Sequence, residues 1–358
     1  NILYVSMADT DNEKFKSDWI DRRTCSADWV EDGVKYAVLW PLQDTFINSV
    51  DIDSIVGVDA AGNPIISFDW NTRTVRINLQ FAGGVGMTTI TSKAYNVPND
   101  ENTLDARDIP GISIWPYMEF SDNANWCSIY RSEEHTPGVV TDNVTVDLAP
   151  NGVLPNQTFN YGIENNYVRI VENRNSIPRY AKIYRNNIPN NYGYILFERP
   201  EMSVPMAANP LKIALDFGTS GSTVYYSDGA SAGKVAFEEI PSFTPIAHDN
   251  DDSAKYHIPG SDGYSQNNNF YPTIIRKSLP VGAALTYPMQ YGNVIYKYKD
   301  IDDSKITSNL KWAGERNLSK FYLYQLMMQT AVFAKYKGYN NINLYATYPA
   351  AYGNEKIT

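Results

Sequence analysis

The run Leu211 to Tyr226, LKIALDFGTSGSTVYY, places an acid at the tip of an apolar strand, then a Gly/Thr/Ser turn, then a second strand. Ile213, Leu215 and Phe217 recur at every second position and read as a strand with one buried face, while Gly218 and Gly221 permit a tight reversal. Successive backbone N–H groups in such a turn converge on its concave side and form an anion site. A carboxylate there repels a bare phosphate but attracts the cation that accompanies one, so Asp216 sits where a metal-bound phosphate would be. The hydroxyls of Thr219, Ser220 and Ser222 add further polar groups at fixed offsets. The simpler alternative is an ordinary hairpin with a Gly/Ser turn.

In words, the order is hydrophobics, Asp, any residue, Gly, Thr, a short polar pair, and Ser or Thr. In this order the hairpin resembles the first phosphate motif of the ATPase superfamily shared by actin, the seventy-kilodalton heat-shock chaperones and the sugar kinases. The resemblance implies that Asp216 holds Mg²⁺ through water, and that amides and hydroxyls of Thr219, Ser220 and Ser222 hold the β and γ phosphates of ATP. Gly218 and Gly221 would let the backbone approach. The resemblance spans roughly residues 208–358 and follows the chaperone order most closely. After the hairpin come a third strand in KVAFEEI (234–240), an inserted subdomain at about 241–316, a helix, and a fourth strand in INLYATYP (342–349).

Within the insertion, FYPTIIRKS (270–278) looks like the chaperones' segment with Pro, Ser or Thr and two aliphatics. Lys311, in SNLKWAG, lies where the chaperones carry a lysine that positions the attacking water, although Trp312 stands where they have a second basic residue. Pro349 falls on the proline that the family links to switching between nucleotide states. The helix is expected from Ser319 to Lys337, because Leu323, Leu326, Met327, Thr330, Ala331 and Ala334 recur at three- and four-residue spacing. Ser319 is its expected N-cap and Gly338 its stop signal.

Residues 1–207 have a different character. Short β-type segments separated by turn residues run from KYAVLW (35–40) through INSVDIDSIVGV (47–58), PIISFDW, TVRINLQF, GMTTITSKAY, GISIWPYMEF, CSIYR, VTVDLA, YVRIVE and YAKIYR to YGYILFERP (192–200). A mainly β domain, β-sandwich-like and comprising one or two subdomains, is expected there, followed by an incomplete α/β lobe of the actin-like (ribonuclease H-like) type over 208–358. The segment SVPMAANP (203–210) reads as the linker. AGGVGM (82–87) opens into another strand pattern, so it reads as a hairpin turn and not as a dinucleotide loop, which must open a helix. Trp115, Tyr117, Phe120, Trp126 and Tyr130 read as core, with a carbohydrate or peptide platform as the alternative.

The 358 residues carry 30 basic and 40 acidic side chains, a net charge of −10, which argues against nucleic acid as a partner because a phosphate backbone needs a basic face. Cys25 and Cys127 form no CxxC and no Cys/His cluster, so buried free thiols are expected. His248, Asp249, Asp251, Asp252 and His257 share one stretch but match neither a helical His pair nor an EF-hand loop. No run is long and apolar enough to span a bilayer and no signal peptide stands at Asn1, so a cytoplasmic location is expected. The resemblance implies a chaperone-like protein in which Mg·ATP binding and slow hydrolysis switch lobe closure, with the β domain recognising protein partners. The alternative is a non-catalytic structural protein that self-assembles as actin relatives do; a sugar kinase is less favoured. Because the family's second phosphate motif and adenosine motif would lie beyond Thr358, the chain is expected to be the leading part of a longer protein and to bind ATP weakly by itself.

Overall fold

The computed structural model describes residues 2–7, 25–80, 86–106, 109–122, 125–134, 144–149, 153–164, 167–186, 188, 190–246, 271–276, 306–312 and 316–347. The chain is mainly β. Among the described residues up to position 207 the strands are β1 (Tyr4–Met7), β2 (Ser26–Glu31), β3 (Val34–Val38), β4 (Ile66–Asp69), β5 (Thr74–Gln80), β6 (Met87–Thr91), β7 (Thr103–Asp105) and β8 (Gly111–Trp115). They continue as β9 (Glu119–Phe120), β10 (Cys127–Glu134), β11 (Val144–Leu148), β12 (Val153–Glu164), β13 (Tyr167–Arg174), β14 (Tyr180–Arg185), β15 (Tyr192–Leu196) and β16 (Glu201–Met202). One short helix, α1 (Asp44–Ile47), precedes a 3₁₀ turn at Ile52–Ser54. The strand expected over 47–58 is therefore absent: its apolar residues Ile47, Ile52 and Ile55 are buried from a helical turn and a 3₁₀ turn, a spacing that a strand cannot satisfy.

Alternation decides which core each strand feeds. On and beside β1, Leu3 and Val5 enter one core and Ile2 and Tyr4 the next, so β1, inside the sheet ordered β2-β3-β1-β7, feeds a core from each face. The same alternation along and just beyond β15 sends Ile195 and Phe197 one way and Tyr194 and Leu196 the other. Paired backbone hydrogen bonds between Trp40 and Tyr194, 2.9 Å in each direction, join the two. A second sheet, β12-β13-β10-β8, with the later strand Phe243–Ile246 paired beyond β8, begins another layer. Its Ile112, Ile114 and Ile129 face the first core, whereas Trp115, Tyr130 and Val171 face the core of the C-terminal part.

Among the described residues the C-terminal strands are β17 (Leu211–Asp216), β18 (Gly221–Ser227), β19 (Ala232–Lys234), β20 (Phe243–Ile246), β21 (Tyr271–Pro272), β22 (Ile275–Arg276), β23 (Ile306–Thr307) and β24 (Ile342–Thr347), with helix α2 over Arg316–Tyr336. Strands β17, β18 and β19 form an antiparallel meander, and β24 returns after α2 to pair parallel with β17, giving the order β19-β18-β17-β24. The third strand is shorter and earlier than KVAFEEI suggested, because Phe237–Glu239 turn into a 3₁₀ helix that buries Phe237 completely. Strand β20 adds to the sheet of the preceding residues by pairing with β8, so the two parts of the chain share a sheet as well as a core.

Helix α2 begins at Arg316, three residues before the expected start, and Ser319 Oγ donates to the Leu310 carbonyl at 2.6 Å instead of capping. Its end follows the expectation. Gly338, at φ +88°, closes the helix with Gly338 N–H to Lys335 O and Tyr339 N–H to Ala334 O, both 2.9 Å, the paired bonds of a Schellman motif. The Gly338 carbonyl then accepts from Ala207 N–H at 2.8 Å, which seats the helix end on the 203–210 segment. Strands β5 and β6 pair antiparallel with Gln80 opposite Met87, as a hairpin across AGGVGM requires, although residues 81–85 lie outside the described residues.

Candidate phosphate site

Strand β17 buries Leu211, Ile213 and Leu215 and exposes Lys212, Ala214 and Asp216, a strict alternation that aims Asp216 to solvent at the strand's carboxyl end. Because β24 runs parallel to β17 with Asp216 opposite Thr347, two strand carboxyl ends lie side by side there. Thr347 Oγ1 donates to Asp216 Oδ1 at 2.8 Å. Crevices outside the carboxyl ends of strands are where ligands bind in open α/β sheets.

The reversal between β17 and β18 is closed. A Cβ on Gly218 would lie 2.0 Å from the Gly221 carbonyl oxygen, so no other residue fits position 218 without opening the turn. Phe217 turns inward, 8% exposed, and packs against the Tyr322 ring at 5.9 Å. Thr219 is half-buried, and Ser220 is exposed. The turn is held from two sides: Thr273 N–H donates to Ser220 O at 3.2 Å, and Trp312 Nε1–H donates to Thr219 Oγ1 at 3.0 Å.

Ser222 differs from its neighbours. Its side chain is fully buried, and Oγ shares a 2.9 Å hydrogen bond with Thr273 Oγ1, which is also fully buried. The Tyr322 hydroxyl lies beside this pair without a hydrogen-bonding geometry to either, and burial pushes its pKa up to about 12. Thus the hydroxyls of Thr219 and Ser220 remain on the turn, while that of Ser222 is turned inward beneath it. Strand β21 completes the underside, pairing Gly221 with Pro272 and Ser222 with Tyr271.

Lys311 lies in the turn that Trp312 N–H closes on Asn309 O at 3.0 Å, one residue from the contact with Thr219. The chain thereby brings Asp216, Gly218, Thr219, Ser220, Gly221 and the 309–312 turn into one neighbourhood. Pro349, His248, Asp249, Asp251, Asp252 and His257 lie outside the described residues. Thr347, Thr273 and Tyr322 were not singled out in the sequence. Thr347 could have been found by laying INLYAT in parallel register on LKIALD, and Thr273 is the threonine that follows the proline of FYPTIIRKS.

Other candidates resolve as structure. Trp115, Tyr117, Phe120 and Tyr130 are all buried, with Trp115 packed edge-on to Phe237 at 6.3 Å, so they form core and not a platform. Cys25 and Cys127 are buried free thiols, and burial raises the Cys127 pKa. A polar cleft of about 610 Å³ between Asp53, Glu119, Arg179 and Arg199 is internally paired: Arg199 binds the Asp53 carboxylate and lies 3.3 Å from Glu119 Oε2. No group of three or more His, Cys, Asp or Glu gathers as a metal cage among the described residues. No helix among them is long and apolar enough to cross a membrane.

A lone exposed carboxylate beside a closed, amide-rich turn fits a cation that keeps most of its waters, as Mg²⁺ does, better than one that demands a full protein cage. Backbone N–H groups gathered in a tight turn are one way a protein receives the oxygens of a phosphate chain. Comparison of the chain with protein-family models, with curated proteins and with solved structures finds no match in any of the three.

Proposed function

We propose that the chain is part of a chaperone-like ATP-binding protein, in which Mg·ATP binding and slow hydrolysis switch lobe closure and partner binding. On this reading residues 208–358 are the first lobe of an actin-like ATPase fold, and the β-sandwich-like residues 1–207 recognise or regulate partners. The observation that carries it is the exposed Asp216 at the carboxyl ends of two parallel strands, beside a turn in which residue 218 has no room for a Cβ. The strand order β19-β18-β17-β24, with α2 before the parallel fourth strand, supports the same fold.

Asp216 would hold Mg²⁺ through water, and bound Mg²⁺ would screen charge on the phosphates. Backbone amides of the turn and the hydroxyls of Thr219 and Ser220 would receive the phosphate oxygens. Ser222 would serve through its backbone, since its hydroxyl is bonded to Thr273. Lys311 would orient the attacking water by its point charge, and Pro349 would take part in switching.

One observation favours the non-catalytic alternative, an interaction or filament-forming protein. Strand β24 is exposed along both faces, with Leu344 42% and Tyr345 58% accessible, which leaves a sheet face open for assembly. Titration of ATP with and without Mg²⁺ separates the readings. Saturable binding that requires Mg²⁺ is expected for the nucleotide reading, and absence of saturable binding favours assembly.

A further inference from the structure

Trp312 is 47% exposed, yet its indole nitrogen makes a directed 3.0 Å hydrogen bond to a residue 93 positions away in the chain. The segment that presents it is anchored independently. Leu310 is fully buried in the core beneath the site, its carbonyl accepts from Ser319 Oγ on α2, and Asn309 takes φ +59° to start the turn. These anchors hold the indole against the one hydroxyl of the hairpin turn that is half-buried.

The chemistry of that contact is directional. An indole N–H can only donate, so Thr219 Oγ1 is the acceptor and its own proton is left to donate elsewhere. Among the described residues that proton has no acceptor. A threonine hydroxyl fixed in this way points its proton away from the indole, and an anion in the turn is the complementary partner. Accepting one hydrogen bond also polarises the hydroxyl and strengthens the one it gives.

We infer that Trp312 is a positioning residue of the phosphate site: its indole N–H orients the Thr219 hydroxyl toward a phosphoryl oxygen and ties the Lys311 turn to the hairpin. This rests on the Mg·ATP reading of the same site. The relay runs from Trp312 Nε1–H to Thr219 Oγ1, and from Thr219 Oγ1–H to the anion. No bond other than hydrogen bonds forms or breaks.

The test uses the full 358-residue chain and Mg·ATP as the probe, titrated into the millimolar range. Trp312→Phe keeps an aromatic ring and removes the donor. It is expected to weaken binding about 3- to 10-fold, the range of one neutral hydrogen bond, with no change in the denaturation midpoint. Trp312→His, which retains a ring N–H, recovers part of the loss. Combined with Thr219→Val, Trp312→Phe adds nothing, because the two act through one hydroxyl. The fluorescence that wild type has and Trp312→Phe lacks is expected to change on Mg·ATP addition.

Wild-type affinity in Trp312→Phe, or full additivity with Thr219→Val, overturns the relay and leaves the nucleotide reading standing. A Trp312→Phe protein that loses binding only in proportion to a lowered denaturation midpoint also overturns it. Failure of the wild-type chain to bind Mg·ATP at all overturns both readings together.

Discussion

Thr347 donates its hydroxyl proton to Asp216 Oδ1 at 2.8 Å, tying together the carboxyl ends of two parallel strands that are 131 residues apart in sequence. The bond fixes the rotamer of a carboxylate that is otherwise exposed. Thr347→Val removes the donor and leaves the carboxylate to water, so its stability cost is expected to be about 1 kcal/mol or less in urea denaturation. If Asp216 holds Mg²⁺ through water, the same variant requires a higher Mg²⁺ concentration for half-maximal ATP binding. An unchanged Mg²⁺ requirement would argue that the carboxylate's orientation is immaterial.

Gly218 is constrained by a backbone atom, which cannot swing aside. With its Cβ placed 2.0 Å from the Gly221 carbonyl oxygen, Gly218→Ala is expected to open the turn and cost about 1–3 kcal/mol, as overpacking does elsewhere. Amide exchange should quicken at residues 217–222 while the β8–β10 pairing stays protected. Uniform loss of protection across both sheets would contradict the local account.

Glu172 and Arg174 form an ion pair deep in the β12-β13-β10 sheet, with side chains 6% and 3% exposed. Arg174 Nε donates to Glu172 Oε1 at 2.6 Å, and its Nη1 donates to the Ala149 carbonyl. Glu172 Oε2 also lies 3.8 Å from Arg131 Nη2, so Glu172→Gln removes a buried carboxylate that faces two guanidinium groups and is expected to cost about 3–5 kcal/mol. Replacing both residues by Met is expected to cost less than the single change. A double variant less stable than Glu172→Gln would show that the pair itself is a net stabiliser.

Asp44 accepts from Lys182 Nζ at 2.9 and 2.8 Å and from the Tyr194 hydroxyl, contacts that hold its pKa below the ordinary 3.8. The folded state thus binds its proton less readily than the unfolded chain. The stability Asp44 contributes is complete above pH 3.8 and is lost as pH falls through the lowered folded-state value. The gap in denaturation midpoint between wild type and Asp44→Asn should therefore be constant near neutrality and close in acid. A gap that widens in acid contradicts the assignment.

The hairpin was legible because each of its requirements is local: alternation along Leu211–Asp216, two glycines, and hydroxyls at fixed offsets. The end of α2 was legible for the same reason, since Gly338 supplies the positive φ that a Schellman closure needs. Non-local requirements were not. Ser222 looks like its hydroxyl neighbours until Thr273, 51 residues away, is seen to take its hydrogen bond. Glu172 and Arg174 were not singled out in the sequence, because burial of a charge depends on a partner that pattern does not reveal. Residues 47–58 are rich in β-branched side chains, yet a helix and a 3₁₀ turn won there because Ile47, Ile52 and Ile55 reach one core only from turns. The sharing of a sheet through β20 and β8 was equally hidden, since strand partners are chosen by tertiary packing.

The central claim is that Asp216 and its turn form a site for metal-bound phosphate, and calorimetric titration of Mg·ATP into the wild-type chain and Asp216→Asn tests it most directly. The account predicts saturable binding by the wild-type chain, weakened at least about tenfold by a substitution that removes one charge from an exposed position, with little change in stability. Equal binding by both proteins, or no binding by the wild type, would contradict it.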